Sequence, residues 1–226
     1  MAKGWGIPFT QVRLGRFLFL LISILLLFAV RPFLEGHIRI GLLLEIFFSF
    51  ILFSGIYAVS QKKYYFIIAL FIAIPPFVLL WSRHLLESPS LILVKDSFMI
   101  LFFGYTVVII FSHIFREREV TADLIMGAVC VYFFLGLMWS SVFSVLESIQ
   151  PGSFQFGHGH AGDVLSFTYY SFVTQTTLGY GDITPITAPA RSFSLLEAVI
   201  GQLYLAVLIA RLVGVHIAQS FEKQSR

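Results

Sequence analysis

Residues Thr176 to Asp182 read Thr-Thr-Leu-Gly-Tyr-Gly-Asp and lie between two long apolar runs. A stretch so rich in Gly and Thr makes a poor membrane-crossing helix. Irregular backbone is tolerated at membrane depth only where it lines a water-filled path or is buried in protein. The stretch therefore implies backbone carried into the membrane to face an aqueous route. Gly179 and Gly181 stand at alternate positions. Successive carbonyls of an extended segment point toward one axis only if alternate residues leave ordinary β geometry. Glycine does so without a Cβ clash, because it reaches positive φ freely.

The fifteen residues DVLSFTYYSFVTQTT ahead of and overlapping this stretch read as a short helix starting at Asp163, a good N-cap residue. About 13 residues at a rise of about 1.5 Å give roughly 20 Å, too short for a hydrocarbon core of about 30 Å. Such a helix enters and stops partway. Its C-terminal carbonyls then carry partial negative charge toward the membrane centre, which favours a cation.

Composition sets the class of the whole chain. With 58% hydrophobic residues, 12% charged residues and a mean hydropathy of +0.90, it reads as an integral membrane protein surrounded by lipid. The net charge of +3 comes from flanking Lys and Arg, with no basic face that points to nucleic acid. The single Cys130 excludes an intrachain disulfide.

Six apolar runs are expected to cross the membrane: Phe17 to about Leu34, about Ile40 to Ser60, Tyr64 to about Leu86, Leu91 to Phe115, about Leu124 to Leu146, and Phe193 to about Ile217. Pro75 and Pro76 remove two backbone donors from the third and are expected to kink it. Thr121-Ala122-Asp123 reads as the start of the fifth. With a cytoplasmic N-terminus, the inner side collects Lys3, Arg13, Arg16, Lys62, Lys63, Arg116, Arg118, Lys223 and Arg226. This fits the excess of basic residues found on the cytoplasmic side of membrane proteins. Both termini are thus expected in the cytoplasm, and the loop from Glu147 to Arg191 outside, in the cell membrane.

Thr177-Leu178-Gly179-Tyr180-Gly181, followed by Asp182, closely resembles the selectivity filter of K⁺ channels. The resemblance, to prokaryotic channels with a pore loop between two helices, is strongest from about Met126 to Ser220 and weak or absent before it. It implies that the carbonyls of Thr177, Leu178, Gly179 and Tyr180 hold permeant K⁺, with the Thr177 hydroxyl as the innermost ligand and Gly181 closing the segment. No organic cofactor is implied. Leu178 replaces the commoner Val, and its side chain is expected to face the protein. Tyr169 and Tyr170 stand where many members carry a Trp pair; with Thr176 and Asp182 they are expected to support the filter, as an aromatic cuff around Tyr180 with a polar tip toward Asp182. One pore loop cannot surround an axis, so the resemblance implies a homotetramer. The expected architecture is an all-α membrane protein of six transmembrane helices plus a re-entrant pore helix and filter. Residues 1–118 would form a four-helix N-terminal region and 119–226 the pore domain.

Other residues admit competing readings. Gly201 lies twenty residues after Gly181, where many members of this family carry a bending point; it also reads as a small residue for close helix packing. Gln202, Leu205, Ala206 and Ile209 share its neighbourhood on helical spacing. Glu45 in the second run and Lys95 in the fourth read as a structural ion pair, as a proton or ion site, or as side chains reaching for the interface. His158 and His160 read as a Zn²⁺- or pH-sensitive pair or as a solvated turret. The fourth run carries only Lys95, next to Asp96, and so lacks the repeated basic residues of a voltage sensor.

The expected function is a passive K⁺-selective channel without steep voltage gating. The alternatives are a nonselective cation channel and a secondary transporter. No metallohydrolase pattern, nucleophile elbow or phosphate-binding loop supports an enzyme. About thirteen residues precede the first run and fewer than ten follow the last, short for a regulatory domain. Gating is therefore expected from the membrane, the N-terminal helices, the filter, pH or a partner that the sequence does not identify.

Overall fold

The computed structural model describes residues 16–34, 40–60, 62–82, 89–117, 119–157 and 164–224. Asp163, His158 and His160 lie outside these residues, so their proposed roles are not addressed by the fold.

Seven helices follow in chain order: α1 (Arg16–Leu34), α2 (Ile40–Val59), α3 (Lys63–Ser82), α4 (Pro89–Arg116), α5 (Ala122–Ile149), α6 (Val164–Gln175) and α7 (Ala188–Gln224). Long apolar segments take this form because a helix satisfies every interior backbone group within itself, which lipid demands. Among the described residues four helices are long and apolar enough to cross a membrane, in α3, α4, α5 and the Ala188–Val215 part of α7. The other two expected crossings hold shorter apolar stretches, Phe17–Leu26 and Glu45–Val59.

Local chemistry sets several boundaries. Thr121 caps α5, accepting from Leu124 N at 3.2 Å, as its sequence predicts. α3 runs as one helix through Pro75 and Pro76. α7 continues through Gly201 without a break and is 37 residues long. At about 1.5 Å per residue that is about 55 Å, well beyond the hydrocarbon thickness of about 30 Å.

A large apolar cluster joins Phe17 and Leu20 of α1, Ile51 of α2, Ala73 of α3, Phe102 and Phe103 of α4, Phe134 of α5 and Tyr204 of α7. The four N-terminal helices thus share a core with the helices around the pore loop. Polar contacts reinforce the join. Buried Asp96 of α4 accepts from Ser144 Oγ of α5 at 2.6 Å and pairs with Lys95 Nζ at 3.2 Å. Arg211 of α7 donates to the carbonyls of Phe115 and Glu117 at the end of α4, at 3.1 and 2.9 Å.

The all-α expectation needs correction at the loop. Strands β1 (Phe154–Phe156) and β2 (Ile183–Pro185) pair antiparallel, with Gln155 opposite Thr184. Three residues are too few to show the alternation by which a strand is read from sequence. The ribbon ties the chain just after the glycine-rich stretch to the chain leaving α5. Glu147 holds its near end, accepting from Gly152 N at 2.8 Å and Phe154 N at 3.1 Å.

Candidate functional site

α6 has twelve residues, about 18 Å by the same rise, shorter than a hydrocarbon core of about 30 Å. It is fastened to α5 by Ser140 Oγ and Thr168 Oγ1 at 2.9 Å and by Gln175 Nε2, which donates to Tyr132 O at 2.9 Å. Around its N-terminal half a second cluster, Trp139, Phe143, Phe154, Phe167, Tyr170, Ile183 and Ala190, fills the space between α5, the ribbon and α7.

The chain leaving α6 folds its amides back onto the helix end. Thr177 N donates to Thr174 O at 2.9 Å, while Leu178 N and Gly179 N both donate to Val173 O, at 2.9 and 3.3 Å. Thr176 Oγ1 donates to Phe172 O at 2.6 Å. Among the described residues no donor reaches the carbonyl oxygens of Thr177, Leu178, Gly179 or Tyr180. The segment is therefore asymmetric: the amides of Thr177, Leu178 and Gly179 are spent on the helix, while the carbonyls from Thr177 to Tyr180 are left over.

Backbone angles explain how. Gly179 has φ +59° and Gly181 φ +79°, the alternation expected of the two glycines. Thr177 extends it, with φ +60°. Positive φ at every second residue turns successive peptide planes so that their carbonyls face a common side. A threonine there is strained, since a Cβ opposes this conformation by roughly 1–2 kcal/mol. Sequence reasoning missed it, because only glycine announces positive φ by its identity.

Asp182 fixes the far end. It accepts from Tyr169 Oη at Oδ2, 2.7 Å, and from Ile183 N at Oδ1, 3.1 Å, and its carbonyl accepts from Gly157 N at 2.7 Å. The Tyr169 ring lies parallel to that of Tyr180, within 7°, with centroids 6.5 Å apart. The expected link between the tyrosine pair and Asp182 is thus made, by Tyr169. Tyr170 does something else: its hydroxyl meets Ser194 Oγ of α7 at 2.6 Å and its ring packs on Phe143 and Phe154. It braces α6 against α7.

Leu178 and Tyr180 are 55% and 65% exposed on the single chain. The expected protein-facing position of Leu178 is therefore not supplied by the described residues of this chain. α7 adds an exposed apolar face that includes Leu195, Leu203 and Ile209.

Gly201 is buried against the end of α6. A Cβ there would come within 2.8 Å of both Cγ and the carbonyl oxygen of Gln175, so the close-packing reading has a direct geometric basis. Gln202 Nε2 reaches the same carbonyl at 3.5 Å. Gln202, Ala206 and Ile209 are exposed and Leu205 half-buried.

Lys95 takes an ion partner other than the expected one. It pairs with Asp96, its chain neighbour, while Glu45 is buried in α2 with its carbonyl accepting from Ser49 Oγ at 2.6 Å. The sequence reading also passed over Glu197, which is 0% exposed and contacts Ser171 of α6. Its signal was visible, as the one carboxylate in the run Phe193 to Ile217.

A half-length helix, a carbonyl-lined stretch and two flanking apolar helices define a pore-loop unit in an integral membrane protein. Residues 124–216 match the protein family described as ion channel, which is not a family of enzymes. Over 64 residues, 28% of this chain, the sequence is 38% identical to the two pore potassium channel c of Oryza sativa subsp. japonica. The matched stretch spans 14% of that protein's length. No solved structure matches.

Proposed function

We propose that the protein is a K⁺-selective channel that conducts passively through a pore made by four copies of this chain. The observation that carries the reading is the alternation of positive φ at Thr177, Gly179 and Gly181 together with the unclaimed carbonyls of Thr177 to Tyr180. A dehydrated cation needs a cage of oxygens in place of its water. One chain offers a single row of them, and four rows around an axis enclose the ion. The Thr177 hydroxyl adds the innermost ligand.

Exposure of Leu178 and Tyr180 supports the homotetramer, since neighbouring subunits would cover both side chains. The similarity of part of the chain to a plant protein named as a potassium channel favours K⁺ over other monovalent cations. On this reading the filter mouth faces outward in the cell membrane, with both termini in the cytoplasm. Residues 119–226 form the pore and residues 1–118 flank it without a voltage-sensing ladder. Gly201 as a hinge stays part of the proposal, beside its packing role.

Unitary currents from purified protein in planar bilayers test the reading. Discrete K⁺ currents far above carrier turnover are expected. Coupled transport without such currents would favour a secondary transporter instead.

A further inference from the structure

Behind the filter, one polar cluster joins all three helices of the pore unit. Ser171 Oγ of α6 lies 2.7 Å from the carbonyl oxygen of Gly136 on α5 and within hydrogen-bond reach of Glu197 Oε1 on α7. Ser171 and Glu197 are both fully buried, and Glu197 Oε2 has no hydrogen-bond partner among the described residues. The described residues place no Lys, Arg or His in ion contact with Glu197. Among the described residues, the titratable side chains in electrostatic contact with it are two phenols, Tyr132 of α5 and Tyr170 of α6, and neither is a base.

Counting protons decides the chemistry. A serine hydroxyl carries one, whereas a backbone carbonyl and an ionised carboxylate carry none. Two acceptors therefore confront one donor. If Ser171 serves the carboxylate, two lone-pair-bearing oxygens are left 2.7 Å apart at Gly136. If it serves Gly136, the carboxylate faces the serine lone pairs as a buried charge with no donor, the costly state for an ion in a low-dielectric interior. One added proton on Glu197 Oε1 satisfies both contacts: the acid donates to Ser171, and Ser171 donates to Gly136. Oε2 is then a neutral carbonyl oxygen, for which a missing partner costs less than for a charged one.

We propose that Glu197 is a proton-binding site that holds its proton at neutral pH and thereby closes a hydrogen-bonded chain from α7 through α6 to α5. Removing the proton puts two acceptors back against one donor. Base should therefore loosen α6 from α7.

Difference infrared spectroscopy of the purified protein against E197Q tests this at neutral pH. The wild type is expected to show a protonated-carboxyl C=O band that is missing in E197Q. In S171A, which keeps the acid but removes its acceptor, the band is expected to shift. Thermal stability is expected to fall with rising pH in the wild type and to hold flat in E197Q, whose amide donates to Ser171 as the acid does. A carboxylate band lost in E197Q, with no protonated-carboxyl band sensitive to either variant, would overturn the proposal. None of these readouts depends on ion conduction, so they stand or fall apart from the channel reading.

Discussion

The hydroxyl of Tyr169 donates to Asp182 across the ends of the glycine-rich stretch, 2.7 Å from oxygen to oxygen. The donor sits on the pore helix and the acceptor follows the last glycine, so one bond closes the loop over its backbone. It is a hydrogen bond to a charged group, worth about 1.5–3 kcal/mol.

That bond should appear as coupling. In a double-mutant cycle of Tyr169→Phe and Asp182→Ala, followed by thermal unfolding in K⁺, we expect a coupling of the same order, about 1.5–3 kcal/mol. Strictly additive losses would mean that the two side chains hold the loop independently.

Gly179→Ala should abolish selective K⁺ current while leaving membrane insertion intact. Among the described residues of one chain a Cβ at this position meets no atom within 4 Å, so crowding within the chain is not the obstacle. The obstacle is φ +59°, which a side chain opposes, and a relaxed backbone would turn one carbonyl out of the row. Ordinary K⁺ over Na⁺ selectivity in this variant would refute the carbonyl account.

For Gly201→Ala the packing and hinge readings diverge. The new Cβ would stand 2.8 Å from Gln175, and overpacking of this kind typically costs about 1–3 kcal/mol. Melting temperature should therefore drop. A variant of unchanged stability with altered opening would assign Gly201 to bending alone.

Much of this architecture was legible because lipid leaves few options. Apolar runs had to be helices, and two glycines at alternate positions announced the backbone that followed. Other features were hidden for identifiable reasons. Thr177 gives no sign in its identity of the φ it adopts. The β1–β2 ribbon is too short for a pattern. The Lys95–Asp96 pair was overlooked in favour of a distant partner, although adjacent residues can meet. The division of labour between Tyr169 and Tyr170 is not written in their identities: the same side chain meets Asp182 from one position and Ser194 from the next.

Opening should depend at most weakly on voltage. Steep gating needs about three to four charges per subunit moving through the field. Lys95 is tied to Asp96, and Asp96 is bonded to Ser144 of the next helix, so this cation has an opposing charge and an anchor. A conductance–voltage curve giving an effective charge of about eight per tetramer would contradict this reading.

The most direct measurement is the reversal potential in bilayers with K⁺ on one side and Na⁺ on the other. The account predicts a reversal close to the K⁺ equilibrium potential, lost in Gly179→Ala. A wild-type reversal near zero, with Na⁺ carrying current as readily as K⁺, would contradict it.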